Sequence, residues 1–227
     1  MSKKVYIGIS GVARSGKNLF CDISKKIVTE TYGLSCSSYA LAYYLKNDCK
    51  EFVQDKLGLD VFTENTEDKK VFREMLVWYG DVKRKQTQGR YWTEKLQLDL
   101  EKDTSDVIFI TDIRYNFYPK DEVFWIYNDL HGHLIHVSKY TYGFPTDGRR
   151  IRSDIANTTQ KIWTEPANDH ERWNDPKVKA ESDFIVEWEH IKSDGKTYQD
   201  IVNDENLNKI VSPIYETYDL LSLVNVD

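Results

Sequence analysis

The stretch Gly11-Val12-Ala13-Arg14-Ser15-Gly16-Lys17-Asn18 decides how this chain is read. It follows an apolar run, Val5-Tyr6-Ile7-Gly8-Ile9, and opens a helical pattern that begins near Lys17. Strand, glycine turn, helix is the order that a phosphate-binding loop requires. Successive backbone N–H groups in such a turn point inward and cradle phosphate oxygens. The helix behind them adds the positive end of its dipole. Gly11, Val12, Ala13, Arg14, Ser15, Gly16, Lys17 and Asn18 are therefore the candidate residues around a nucleoside triphosphate, with Lys17 reaching its outer phosphates. The spacing G-x-x-x-x-G-K is complete. Asn18 stands where a Ser or Thr hydroxyl ordinarily meets Mg²⁺. Its amide carbonyl is also a hard oxygen ligand, able to meet the ion directly or through a water.

Outward from the loop, the pattern predicts an α/β domain. The first strand, about residues 4–10, hardly alternates, as befits a central parallel strand covered on both faces. Leu19, Ile23 and Ile27 then recur at four-residue spacing, and Gly33 is placed to end that helix. A short strand is expected at 35–40 and a helix from Leu41. Another runs from Glu67 to Tyr79, capped by Thr66 and ended by Gly80, and another from Tyr91 to Lys102. Asp106 to Thr111 is a second buried strand, ending in Asp112-Ile113-Arg114. A helix near 120–128, a strand at 133–137, a strand at 183–188 and a partly helical region from Tyr198 to Leu223 complete the alternation. The polar stretch from about Lys139 to Ala180 has little periodicity, and a segment of that length inside a compact domain reads as a lid.

Composition narrows the partners. The chain has 227 residues and a formal net charge of -6, enough for one domain with insertions. An acidic balance argues against a large nucleic-acid footprint but permits a phosphorylated ligand in a local basic pocket. Cys21, Cys36 and Cys49 form no C-x-x-C pair and read as reduced thiols of a cytoplasmic protein. No stretch has the apolar length of a membrane span, and Met1-Ser2-Lys3-Lys4 leads into a strand without a signal-peptide pattern. The five histidines show no zinc-like spacing, and no Ser-His-Asp arrangement stands out.

Charged residues after strands line the crevice in which doubly wound sheets bind ligands. Asp112 is placed to lie near Mg²⁺, and Arg114 offers a planar fork to a phosphate. Arg73 interrupts an apolar helical face. Lys83, Arg84, Lys85 and Arg90 lie close to Trp78, Tyr79, Tyr91 and Trp92. Aromatic faces beside arginines suit a nucleobase and its phosphate, although such rings serve equally as core. Arg149, Arg150 and Arg152 sit in the lid stretch, where arginines that arrive on closure would neutralise a phosphoryl group in transfer.

Taken in order, these motifs resemble one family. Gly11-x-x-Arg14-Ser15-Gly16-Lys17, Tyr39-Ala40 followed by Lys46, and Asp68-Lys69-x-x-x-Arg73 are part of the set. So are Trp78-Tyr79-Gly80-x-x-x-Arg84, Tyr91-Trp92 and Asp112-Ile113-Arg114-Tyr115. The chain resembles the bacteriophage deoxynucleoside monophosphate kinases and, more distantly, the animal-type phosphomevalonate kinases. The family usually has Asp then Thr after the loop lysine; this chain has Asn18-Leu19. The resemblance implies a three-layer P-loop NTPase fold with a central parallel sheet, a helical acceptor-binding insertion at about 41–102 and a lid at about 139–180. It implies ATP and Mg²⁺ as cosubstrates and a deoxynucleoside 5′-monophosphate as acceptor; the acidic balance and the lack of a long apolar stretch add the expectation of no stable nucleic-acid partner and no membrane, with a homodimer left open. The roles follow. Arg14 and Lys17 act on the donor, with Arg149, Arg150 and Arg152 on the transferred group. Lys46, Arg73, Trp78, Arg84, Trp92, Asp112 and Arg114 surround the acceptor. Asn18 and Asp112 attend the metal.

Overall fold

The computed structural model describes residues 4–143, 159–191 and 194–217. Its elements run β1 (Val5–Ser10), α1 (Lys17–Tyr32), β2 (Cys36–Ala40), α2 (Leu41–Leu57), α3 (Thr66–Thr87), α4 (Tyr91–Leu100) and β3 (Val107–Ile113). A short turn of helix, α5 (Glu122–Phe124), passes into a π-helical turn over Trp125–Asp129. Then come β4 (His133–Gly143), β5 (Gln160–Trp163), α6 (Asp169–Glu181), β6 (Phe184–Glu189), α7 (Tyr198–Val202) and α8 (Glu205–Thr217).

Among the described residues the sheet has six strands in the order β2-β3-β1-β4, with β5 and β6 both on β4. All pairings are parallel except β4 with β5. Alternation along the inner strands splits the core. Ile7, Ile9, Phe109, Ile135 and Val137 face α1 and α8, where Phe20, Ile23, Ile27, Val211 and Ile214 cover them. Ile108, Ile110 and Leu134 face the other way, onto Trp92, Leu96, Trp125 and Ile126. With both faces covered, these strands can be apolar throughout, the pattern read from β1. A satellite core of Cys49, Val53, Val61 and Phe72 joins α2 to α3. No helix among the described residues is long and apolar enough to cross a membrane.

Several expectations need correction. Gly80 does not end its helix: α3 runs through it to Thr87. The missing side chain instead admits Leu45 of α2, whose Cδ2 lies 3.4 Å from where a Cβ would stand. The cap of α3 is Asn65 rather than Thr66; the Asn65 side chain accepts the Glu67 N–H at 2.8 Å. The stretch 139–180 is structured over most of its described part, since β4 extends to Gly143, β5 returns along it, and α6 follows. α6 escaped detection because its buried face is mostly polar, Glu171 and Asn174 beside Val178, so it has no apolar stripe. Tyr140 pairs with Trp163 of β5 and with Glu189 of β6, one on each edge. β5 therefore lies on the β1 side of β4, beyond the point where β1 stops at Ser10.

Candidate functional site

The loop between β1 and α1 is a tight turn built on two positive-φ glycines. Gly11 has φ 131° and Gly16 has φ 98°. A Cβ on Gly11 would come within 2.3 Å of the Val137 carbonyl oxygen, and one on Gly16 within 2.6 Å of the Trp188 ring. Each position thus needs glycine for its conformation and for its neighbour. Trp188 fixes the turn from below by donating its indole N–H to the Ser15 carbonyl at 2.9 Å. Arg14 takes φ 66°, a left-handed conformation uncommon for a side-chain-bearing residue, and is exposed. Among the described residues no side chain caps the N-terminus of α1. Its first N–H groups and dipole are thereby left to face an anion.

Lys17 is buried and turned back on the loop. Its Nζ donates to the Gly11 carbonyl at 2.8 Å and the Val12 carbonyl at 3.0 Å, and lies 3.8 Å from Asp112 Oδ1. Burial first, then the Arg114 charge, lower its pKa to about 8 against the pull of Asp112 and Glu171. The expected forward reach to an outer phosphate is not its position here.

Asp112 ends the buried run of β3 with φ 65°. Its carboxylate accepts from Arg114 at 3.1 Å. Burial pushes its pKa up, but Arg114 and Lys17 outweigh that and hold it below the ordinary carboxylate range. Arg114 in turn pairs with Glu171 of α6. Burial works against the Arg114 charge, and the two carboxylates more than restore it, so its pKa rises.

Glu171 is the residue that sequence reasoning missed. It is buried, and its carboxylate accepts the Ala13 N–H of the loop at 3.2 Å from each oxygen and the Ala167 N–H at 2.8 Å. Its pKa, raised by burial, is brought net downward by Arg114 and these amides. A protein carboxylate thus occupies a loop amide and a guanidinium together. The only signal in the sequence was Asn168-x-x-Glu171, a helix-start pattern, and Asn168 does accept the Glu171 N–H at 2.9 Å.

A cleft of about 220 Å³ opens beside this cluster. Its apolar wall is Leu41, Leu45, Leu76, Val77, Gly80 and Trp92; its polar wall is Arg73, Asp112, Arg114, Glu122 and Glu171. Arg73 is half-buried and makes no ion pair among the described residues. Glu122 accepts the backbone N–H groups of Arg114 and Tyr115 at 2.6 and 3.1 Å, and burial raises its pKa. Trp92 is buried as a floor residue, edge-on to Tyr79 and Tyr91. Arg84 also reaches the cleft wall, but its guanidinium is paired with fully buried Asp121 and stacked 3.3 Å from the Tyr115 ring centroid. It serves packing rather than a free phosphate. Trp78 is 65% exposed and belongs to an outer groove with Phe117 and Trp173. Lys46 stands outside the cleft over the Phe62 ring, though its charge still lowers Asp112. Asn18 is exposed on the first turn of α1. Arg149, Arg150 and Arg152 lie outside the described residues.

On the other side of the loop, Val12, Lys139, Trp163 and Lys179 line a smaller cleft of about 120 Å³. Lys139 has its pKa lowered by burial and by Arg14, which places those two cations near each other. A Ser-His-Asp run does exist here, contrary to expectation: Ser138 Oγ meets His136 Nδ1 at 3.1 Å and His136 Nε2 meets Asp175 at 3.1 Å. Lys179 also donates to the Ser138 hydroxyl at 3.1 Å, so that oxygen is tied into a half-buried polar network rather than free as a nucleophile. Among the described residues no three His, Cys, Asp or Glu side chains group as a metal site. Asp112 lies 3.8 Å from Lys17 and 3.1 Å from Arg114, and Glu171 also acts on both cations, so an ion here would be carried mainly by phosphate and water rather than by a protein cage.

These observations define an α/β protein with a mostly parallel sheet. A glycine turn and a carboxylate–guanidinium cluster converge at the carboxyl edge of that sheet. No family model and no curated protein matches the chain. Among solved structures, an unliganded sugar kinase from Janibacter sp. HTCC2649 aligns over 93% of this chain and 97% of its own at 11% identity, with a TM-score of 0.25. A likeness that slight carries no argument about fold or activity.

Proposed function

We propose that this protein is an ATP-dependent phosphotransferase acting on a small phosphorylated acceptor, in the manner of a deoxynucleoside monophosphate kinase. The observation that carries the reading is the position of Glu171. An anion of the protein itself already rests on a loop amide and on Arg114, so that place suits a phosphate. The uncapped start of α1 and the clefts on either side of the loop add support. One cleft offers an apolar wall with Arg73 and Arg114, the chemistry of an aromatic base joined to a phosphate.

The chain's own residues divide the work. The loop amides and Lys17, once it leaves the Gly11 and Val12 carbonyls, hold the donor phosphates. Arg73 and Arg114 hold the acceptor phosphate. Bringing two anions together is the main barrier, and fixed cations lower it without reorganising. No general base is needed, since a phosphate oxygen is already ionised near neutral pH. A magnesium ion arriving with ATP would supply further charge neutralisation, with Asp112 and Asn18 the side chains available to it.

A coupled ADP-release assay over the deoxynucleoside monophosphates tests this. Turnover with at least one is expected, and silence with all of them rejects the acceptor class. A second reading, nucleotide binding without turnover, is favoured by the inward Lys17 and by Asn18-Leu19. ATP binding without measurable transfer to any acceptor would select it.

A further inference from the structure

We propose that Glu171 is an internal occupant of the phosphate position. On this account the first turn of α6 competes with phosphate for the loop and withdraws when a triphosphate binds. The inference rests on the reading of the loop as a phosphate cradle and extends it to regulation of that site.

Three features of the carboxylate carry the argument. It bridges two elements that a transferred phosphoryl group must also bridge: the Ala13 N–H on the donor loop and the Arg114 guanidinium in the acceptor cleft. It is 8% exposed, so it is desolvated and committed rather than drifting at the surface. It is mounted on a turn with local bonds of its own, through Asn168 and the Ala167 N–H, which can move as a unit. The single Ala13 N–H is already taken by Glu171, Arg114 already carries Asp112 beside Glu171, and a phosphate set against that carboxylate would be repelled. Further along α6, Asn174 and Val178 are buried and Asp175 and Lys179 bond to His136 and Ser138, so the helix body is anchored and the movement is confined to its first turn. The His170–Asp81 pair at 3.1 Å, half-exposed on both sides, is the second tie of this turn, to α3. Filling the position with a protein carboxylate also keeps Arg114 neutralised while no phosphate is present. Withdrawal then releases Arg114 to the acceptor at the moment the donor is seated.

The test uses the full chain, with inorganic pyrophosphate and ATP as probes in calorimetry. Glu171→Gln removes the charge and keeps the shape; Glu171→Asp keeps the charge but shortens the reach to Ala13. Both should bind pyrophosphate about tenfold more tightly than wild type, the size usual for a coupling of this kind. Equal or weaker binding in variants that still melt cooperatively would overturn the proposal. Amide hydrogen exchange on wild type needs no variant. Pyrophosphate should slow exchange at residues 11–18 and speed it at 167–173; slowing of both segments would overturn the inference alone. If wild type and both variants bind neither pyrophosphate nor ATP, the cradle reading falls and the inference with it.

Discussion

Raising the pH should stabilise the wild-type protein relative to a Lys17→Met variant. Methionine keeps the stem and removes the charge. The Lys17 ammonium is 7% exposed, and burial, followed by the Arg114 charge, lowers its pKa from 10.5 to about 8. The unfolded chain restores the ordinary value of roughly 10.4. Between the two values the unfolded state binds a proton that the folded state has released, so stability rises with pH across that window. Below pH 8 both states are charged and the folded state bears the whole penalty, which does not grow further. Roughly two pH units at about 1.4 kcal/mol each, less the rounding at the ends of the two titrations, give an expected gain of about 2.5 kcal/mol between pH 7 and pH 10. For a chain of this size that is on the order of 5 °C in melting temperature. The other titratable groups are common to both proteins, so the difference between the two curves isolates Lys17. Urea unfolding at pH 7, 8, 9 and 10 measures it. Curves that stay parallel throughout would refute the buried, depressed ammonium. Saturating pyrophosphate should flatten the difference, because an adjacent anion favours the charged amine.

The remaining predictions concern neighbouring parts of the same edge. Gly16→Ala should cost about 2–4 kcal/mol and abolish ATP binding, because its Cβ would meet the Trp188 ring at 2.6 Å in a positive-φ turn. Gly33→Ala, with nothing within 4 Å among the described residues, should cost only about 1 kcal/mol by the same urea unfolding. Arg84→Met should destabilise by about 3–5 kcal/mol in urea, since it strands the fully buried Asp121 carboxylate; a loss under about 1 kcal/mol would return Arg84 to the ligand-binding set. Arg73→Ala should raise the acceptor KM at least about tenfold while moving the ATP KM and the stability little. Equal effects on both constants would make Arg73 structural.

The sheet was legible because its strands are covered on both faces and so read as nearly unbroken apolar runs. β1 and β3 were found to within a residue or two for that reason. The turn at Gly11 and Gly16 was legible for another: each glycine answers a steric demand that leaves no substitute. What escaped was set by contacts across the chain. Gly80 looked like a stop because local propensity says nothing of Leu45 pressing against it from α2. Arg84 looked like a ligand because Asp121, its partner, stands 37 residues away. Glu171 was invisible because its partners, Ala13 and Arg114, lie 158 and 57 residues away, and because α6 hides polar side chains where a helix ordinarily hides apolar ones.

Gly11 lies flat against the carbonyl of Val137, with no side chain between the turn and β4. Three residues further along, at Tyr140, β4 is gripped on one edge by β5 and on the other by β6. Any twist that a ligand imposes on the β4–β5 ribbon is therefore delivered to the turn through bare backbone, with no soft side chain to absorb it. Displacing β4 at Val137 would therefore press directly on Gly11.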